Sequence, residues 1–383
     1  MGLILSEDQL LIRQTARSFL ADKSPVSRMR ELRDSEDETG FSRELWKEMA
    51  EMGWPGIIFP EEYGGAGMGY GELGVVLEEC GRVLAPEPFL STVLLGGSAV
   101  LLGATDPLKK DLLPGVCSGD RILAMAFQEQ GRFDPHRVST KATRDGDGYR
   151  IDGHKQFVQQ FVLDAHVADQ IVVVARTSGE SGDRDGLTLF VIDAGADGLT
   201  VQRNHMVDGR NAAEVELEGV SAAADRVVGQ VDAGAELLDA VFDRAAIGLS
   251  AEMLGTFDEA FERTLAYLKD REQFGVKIGT FQGLRHRAAD MFCELELARS
   301  VVREALTALD EGRDDVPQMA SAAKARCSDV SSQITKEALQ MHGGIGMTDE
   351  EEIGLFFKRS KAAEMTLGDA LYHRDRYASL RGF

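Results

Sequence analysis

The sequence predicts an α+β protein in three parts: an N-terminal helical domain, a small, mostly antiparallel central β domain, and a C-terminal four-helix bundle. Three observations carry this. Apolar residues recur at helical spacing through the first hundred residues, as in Leu10, Ile12, Ala16, Phe19 and Leu20, which places them on one face of a helix. After Pro114 the pattern changes to short runs rich in β-branched residues and bounded by turns, the mark of strands. From about residue 233 long helical periods return. A chain of 383 residues exceeds one ordinary core, and the changes of period set expected boundaries at 1–118, 119–228 and 229–383.

Taken in order, the helical spacing continues through residues 45–52 and is interrupted by Ile58-Phe59-Pro60-Glu61-Glu62-Tyr63-Gly64-Gly65-Ala66-Gly67, a glycine-rich loop. A new helix is expected over 71–83. At its start Gly69-Tyr70-Gly71-Glu72-Leu73-Gly74 matches GxGxxG formally, but it follows a loop rather than a strand, so the context of a dinucleotide-binding turn is absent. In the middle third, 122–127, 149–151, 170–175 and 187–192 read as strands, and Asp145-Gly146-Asp147-Gly148 supplies turn chemistry. Strands and helices do not alternate there, which excludes a doubly wound sheet. The last third predicts helices over 235–271, 281–310, 317–342 and 349–366. Pro317 suits a first turn and Gly343-Gly344 a stop; short connections make the set an antiparallel bundle.

Composition narrows the function by exclusion. Lys and Arg total 42 against 64 Asp and Glu, a net charge of −22, and nucleic-acid binding needs the opposite, a basic face for phosphates. An anionic ligand would have to be held by local cations and helix N-termini. Cys80, Cys117, Cys293 and Cys327 are far apart with no CxxC pair, so no zinc site or redox disulfide is expected and all four read as buried thiols in a reducing cytoplasm. The N-terminus turns acidic at once and no uncharged stretch is long enough to cross a bilayer, so neither a signal peptide nor a membrane partner is expected.

Two segments carry chemistry. Arg271-Glu272-Gln273-Phe274-Gly275 follows a long helix; a guanidinium and an amide there could meet a pyrophosphate, Phe274 could pack against an adenine or ribose, and Gly275 permits a sharp exit. The same residues also read as a helix C-terminus with a cation near its dipole and a phenylalanine in the core. About seventy residues on, Gln340-Met341-His342-Gly343-Gly344 offers glycines that let backbone amides approach an ADP moiety, although two glycines ending a helix need no ligand.

These segments, with Pro60-Glu61-Glu62-Tyr63-Gly64-Gly65-Ala66-Gly67, Asp270 before the arginine and Ile345-Gly346 after the glycine turn, occur in an order that resembles the acyl-CoA dehydrogenases over nearly the full chain. These flavoproteins desaturate the α,β bond of an acyl-CoA thioester. The resemblance implies FAD as cofactor, an acyl-CoA substrate and an electron-transfer flavoprotein as acceptor. It further implies that Arg271, Gln273, Phe274, Phe281, Gln340, Met341, His342, Gly343 and Gly344 contact an FAD held mainly by a neighbouring subunit.

The chain departs from the family pattern where a carboxylate base is expected. One family location holds Leu367 and the other Ala245 or Ala246, none of which accepts a proton. Asp369 is the best substitute, ahead of Glu364, Asp243 and Glu252, though an acid opening a last helix also reads as a cap. The family's Thr-Glu-Pro-Gly-Ala-Gly-Ser-Asp loop is replaced by Gln128-Glu129-Gln130-Gly131-Arg132-Phe133-Asp134-Pro135, and its Trp-Ile-Thr by Phe157-Val158-Gln159 followed by Gln160. Motifs offered to a neighbour's flavin are kept and those that grip its own are lost. That asymmetry resembles the smaller subunit of bacterial paired, α2β2 acyl-CoA dehydrogenases of lipid or steroid catabolism, whose homologous partner carries the base. A self-sufficient homo-oligomer with a non-standard base and a non-catalytic scaffold subunit are the alternatives.

Overall fold

The computed structural model describes residues 4–155 and 162–383; the positions expected to cover a flavin ring, Phe157, Val158, Gln159 and Gln160, lie outside the described residues. Helices α1 (Glu7–Lys23), α2 (Val26–Asp34), α3 (Arg43–Glu51), α4 (Tyr70–Arg82), α5 (Ser98–Gly103) and α6 (Asp106–Cys117) come first. Nine strands follow among the described residues: β1 (Leu123–Ala126), β2 (Lys141–Asp145), β3 (Gly148–Lys155), β4 (Val162–Leu163), β5 (Gln170–Arg176), β6 (Leu187–Asp193), β7 (Leu199–His205), β8 (Asn211–Ala223) and β9 (Val227–Val228). The chain closes with α7 (Gly234–Asp270), a small hairpin of β10 (Glu272–Gln273) and β11 (Val276–Lys277), then α8 (Gln282–Asp310), α9 (Val316–His342), α10 (Ile353–Met365) and α11 (Ala370–Leu380). This is the helical, β, helical order that the hydrophobic periods predict.

The chain divides into two compact units. One, built from Ser35–Gly69 and Pro86–Ala245, contains the sheet, ordered β4-β8-β3-β2-β5-β6-β9 with β1 beside β5 and β7 beside β8. Pairing is antiparallel except at β1 with β5 and a single β2 with β5 pair. The core is formed by β5 and β6, whose Ile171, Val172, Val173, Val174, Leu189 and Phe190 are fully buried. The Asp-Gly signal works as expected, since Asp145 pairs with Gly148 across a two-residue turn in which Gly146 takes φ 58°. Before the sheet, Phe89–Gly97 forms a wholly buried π-helical stretch, and Thr92 is fixed to Leu123 of β1 in both directions through its hydroxyl.

The other unit, Met1–Asp34, Tyr70–Ala85 and Ala246–Phe383, is helical. Here α4 and α7 cross with their backbones almost touching: a Cβ built on Gly81 would lie 2.0 Å from the Glu252 carbonyl oxygen, and one on Gly255 1.7 Å from that of Glu78. Charge is buried around this crossing. Arg82 donates to Asp258 at 2.8 Å, to Glu259 at 2.7 Å and to Glu262; Arg299 bridges Glu78 and Asp258; Arg17 meets Glu79 with two bonds of 2.9 Å. Paired and hydrogen-bonded in this way, buried charges are tolerated. The GxGxxG look-alike is a helix start: the Tyr70 and Gly71 N–H groups donate to the two carboxylate oxygens of Asp310, so the place a phosphate would take is filled by the chain itself.

One expectation is corrected. Cys80, Cys117 and Cys327 are buried, but Cys293 is exposed, because it lies on the face of α8 that also exposes Phe292 and Leu297. Among the described residues no helix is long and apolar enough to cross a membrane, and no group of three or more His, Cys, Asp or Glu could hold a metal.

Two buried histidines make stability depend on pH. Burial, reinforced by Lys324, pushes His373 down to about 3, and burial with Arg203 nearby pushes His166 down to about 4. Both bind protons more readily in the unfolded chain, so their stabilising effect is complete above their ordinary value of 6.5 and is lost as pH falls through the acid range, each by up to about 1.4 kcal/mol per pH unit. Asp164, pushed up to about 6 by burial, acts oppositely between its ordinary 3.8 and that value. Urea unfolding of His373→Gln beside the wild type, from pH 6.5 to 4.5, therefore isolates one histidine: the variant's slope is expected to be shallower, and equal slopes would mean that His373 is protonated in the fold.

Candidate functional site

The arginine segment starts where α7 ends. The Arg271 N–H donates to the Tyr267 carbonyl at 2.8 Å, and the chain then turns back through the β10–β11 hairpin, Glu272 opposite Lys277 and Gln273 opposite Val276. The two turn residues, Phe274 and Gly275, have φ 55° and 76°, the signs of a type I′ turn. Glycine suits such a turn; phenylalanine in that region costs about 1–2 kcal/mol. Phe274 is also 91% exposed, which disposes of its reading as a core residue. Phe281 meets its ring edge-on at 6.2 Å. Gln273 and Arg271 are exposed, and the Arg271 guanidinium has no hydrogen bond or ion pair to another described residue.

The glycine segment starts where α9 ends. Gly343 takes φ 67° and ψ −141°, a backbone that excludes other residues. A Cβ on either Gly343 or Gly344 would meet nothing within 4 Å. No contact among the described residues therefore requires Gly344 to be glycine, and the space beside both is open on that side. Gln340, Gly343 and Gly344 are exposed, whereas the side chains of Met341 and His342 are buried.

The two segments are brought together by a residue that motif reading missed. The Tyr267 hydroxyl donates to the His342 carbonyl at 3.3 Å, and the two rings stack with centroids 4.4 Å apart. The resulting surface offers a cation, an amide, two aromatic rings and glycine backbone open on its Cβ side at neighbouring helix ends. That donor set fits a nucleotide diphosphate, and hence the ADP portion of FAD. An open groove of about 630 Å³ between α7 and α8, lined by Phe261, Leu265, Phe292 and Leu295 with Asp258, Glu262, Glu296 and Arg299, contains none of the residues expected to bind a cofactor.

The positions expected of a base are apolar and closed. Leu367, Ala245 and Ala246 are buried. Leu367 has φ 60°, and its turn is held by two buried groups: His373 Nε2 donates to the Leu367 carbonyl at 2.9 Å, and Lys324 Nζ donates to the carbonyls of Gly368 at 2.8 Å and Glu364 at 2.9 Å. Burial without a carboxylate partner pushes Lys324 down to about 7. Asp369 is exposed and accepts from the Tyr372 N–H at 2.8 Å as the N-cap of α11. Glu364 pairs with Lys361 and Glu252 with Arg359; Asp243 is buried.

In the sheet-containing unit, the loop after β1 is anchored and filled. Glu129 accepts from Lys155 Nζ at 2.5 Å and from the backbone N–H groups of Ser139 and Thr140. Lys155 is fully buried and burial pushes it down to about 8. Phe127, Phe133 and Phe242 pack edge to face with centroids 4.7 to 6.2 Å apart, so the bulky Phe133 is directed into protein rather than solvent.

The architecture is of a helical, β, helical type. Comparison with known proteins specifies the family. Its N-terminal domain matches residues 6–120, its middle domain 124–220 and its C-terminal domain 232–379: the chain belongs to the acyl-CoA dehydrogenases. It is 30% identical to the caffeyl-CoA reductase–Etf complex subunit CarC of Acetobacterium woodii, over 92% of each chain. Among solved structures, a variant of the Tcur3481-Tcur3483 steroid ACAD shares 33% identity over 98% of both chains with a TM-score of 0.87. The ChsE4-ChsE5 complex from Mycobacterium tuberculosis shares 26% identity over 100% of both chains with a TM-score of 0.89. Members of the family are FAD flavoproteins, and the relatives support an oxidoreductase acting on acyl-CoA.

Proposed function

We propose that this chain is the subunit of a paired acyl-CoA dehydrogenase that completes the FAD site without supplying the base. Arg271, Gln273, Phe274, Phe281, Gln340 and the Gly343-Gly344 backbone would hold the nucleotide end of an FAD seated mainly in a homologous subunit. The observation that carries the reading is the contrast between an exposed Arg271, without a partner among the described residues, and the buried Leu367, Ala245 and Ala246 where a carboxylate is needed. The aromatic packing of Phe127, Phe133 and Phe242 supports it, since that loop is where the family grips its own flavin. Bound flavin supplies the acceptor for the β-hydrogen as hydride, while the partner's carboxylate removes the α-proton. Resemblance to paired and steroid-linked structures favours a bulky acyl-CoA, and the relative named as part of an Etf complex favours an electron-transfer flavoprotein as acceptor. Both stand on analogy of fold and sequence.

The test is expression with and without a homologous subunit that carries the base, followed by measurement of FAD per subunit and of acyl-CoA-dependent flavin bleaching. Flavin and bleaching are expected only for the pair. A flavin-saturated, active protein from this chain alone, inactivated by Asp369→Asn, would instead establish a self-sufficient enzyme. Flavin absent under both conditions would establish a scaffold.

A further inference from the structure

We propose that Tyr267 is the positioning residue of the nucleotide clasp, tying the arginine arm after α7 to the glycine turn after α9. The proposal rests on the reading that these two segments receive a flavin nucleotide. Tyr267 acts through three contacts: its carbonyl accepts from the Arg271 N–H at 2.8 Å, its hydroxyl donates to the His342 carbonyl at 3.3 Å, and its ring lies on the His342 imidazole with 24° between planes. His342 is itself immobilised, buried and bonded through Nδ1 to the Ala338 carbonyl at 2.8 Å.

The need for such a tie follows from what surrounds the clasp. The His342 carbonyl is among the last four of α9, which have no partner inside the helix; Tyr267 provides one. The next residue, Gly343, leaves the helix in a conformation that only glycine adopts freely. On the Cβ side, Gly343 and Gly344 have nothing within 4 Å among the described residues, their main chain being held only locally, by the Gly343 N–H bond to the Gln340 carbonyl and the short turn Gly343–Met347, and no ion pair to a described residue braces Arg271. Their mutual placement therefore depends on α7 and α9 being joined just before both segments begin. A site whose donors are placed before the ligand arrives binds more tightly than one that must order them.

The experiment uses the chain copurified with the subunit it assembles with, stripped of flavin and titrated with FAD, flavin fluorescence giving the affinity. Tyr267→Leu is expected to weaken binding about 10-fold or more, and Tyr267→Phe, which keeps the ring and loses the hydroxyl, about threefold. In an Arg271→Gln background the Leu substitution is expected to cost less than in the wild type, because part of its effect runs through Arg271. Melting of the flavin-free protein separates this from a general structural role: equal effects in both backgrounds, matched by a lowered flavin-free melting temperature, would overturn the positioning role. So would wild-type affinity in Tyr267→Leu when Arg271→Gln is weakened. If Arg271→Gln binds FAD normally, the underlying clasp reading is what fails.

Discussion

Gly255→Ala is expected to destabilise the protein by about 3 kcal/mol or more, the upper end of what core overpacking costs. The reason is a backbone contact. The new methyl would lie 1.7 Å from the Glu78 carbonyl oxygen, 2.7 Å from its carbonyl carbon and 3.1 Å from its Cα, so no side-chain rotation relieves it and α4 has to move off α7. Moving α4 also disturbs the Arg82 contacts to Asp258 and Glu259 and the Arg299 contact to Glu78, where separated partners are left as buried charges. Gly354→Ala is the matched control: its Cβ would lie 3.7 Å from the nearest atom, the Gly346 carbonyl oxygen, in a helix where alanine is favoured by up to about 1 kcal/mol. Urea midpoints of the two variants against the wild type decide the matter, and a Gly255→Ala midpoint equal to that of the wild type would mean the helices do not approach this closely.

That crossing also shows which parts of the fold could be read in advance. Long helices announce themselves by apolar period and by punctuation at their ends, so α8 and α9 differ from expectation by one residue at their starts, with Pro317 inside the first turn and Gly343 at the stop. Strands β5 and β6 are legible because they are buried and β-branched. Strand β8 is not, because its Asn211-Ala212-Ala213 start is small and polar though buried, and periodicity cannot see burial that neighbours impose. Gly81 and Gly255 look in the sequence like weak points in helices; their role exists only once α4 and α7 are packed.

The site divides in the same way. Arg271 and Gly343-Gly344 were found as motifs because their residue types are unusual at helix ends. Residue types alone leave a ligand site and a plain helix end both open; exposure and geometry are what the fold adds, with Phe274 strained and in solvent, Arg271 without a partner among the described residues and the Cβ faces of the glycines open. Tyr267 sits four residues before Arg271, one turn of helix, which fixes its side of α7 but not its partner, since nothing in the sequence announces a ring stacked seventy-five residues away. Lys324 was invisible for the same reason, because its acceptors are main-chain carbonyls of Glu364 and Gly368 and main-chain carbonyls leave no trace in residue identity. The exposure of Cys293 is not legible in the sequence, because an apolar residue type does not fix burial and α8 carries several apolar residues on its outer face.

On the proposed shared nucleotide site, Arg271→Gln is expected to weaken FAD binding about 100-fold, corresponding to about 3 kcal/mol for a charge-assisted contact to a diphosphate. The chain's net charge of −22 opposes an anionic ligand at long range, so the local guanidinium carries a larger share of the attraction than it would in a basic protein. Arg271→Lys is expected to recover only part of the loss, because a lysine restores the charge without the planar fork that meets two phosphate oxygens. Raising salt should narrow the gap between wild type and Arg271→Gln, as Arg271 is exposed and its field is screened. The flavin-free protein, by contrast, should melt as the wild type does, because the side chain has no partner within the described residues to lose. That combination separates a ligand contact from a helix cap: a cap interacting with the α7 dipole would contribute a few tenths to about 1 kcal/mol of stability and nothing to flavin affinity. A lowered flavin-free melting temperature with unchanged FAD titration would thus return Arg271 to a structural role and remove the basis for a shared nucleotide site.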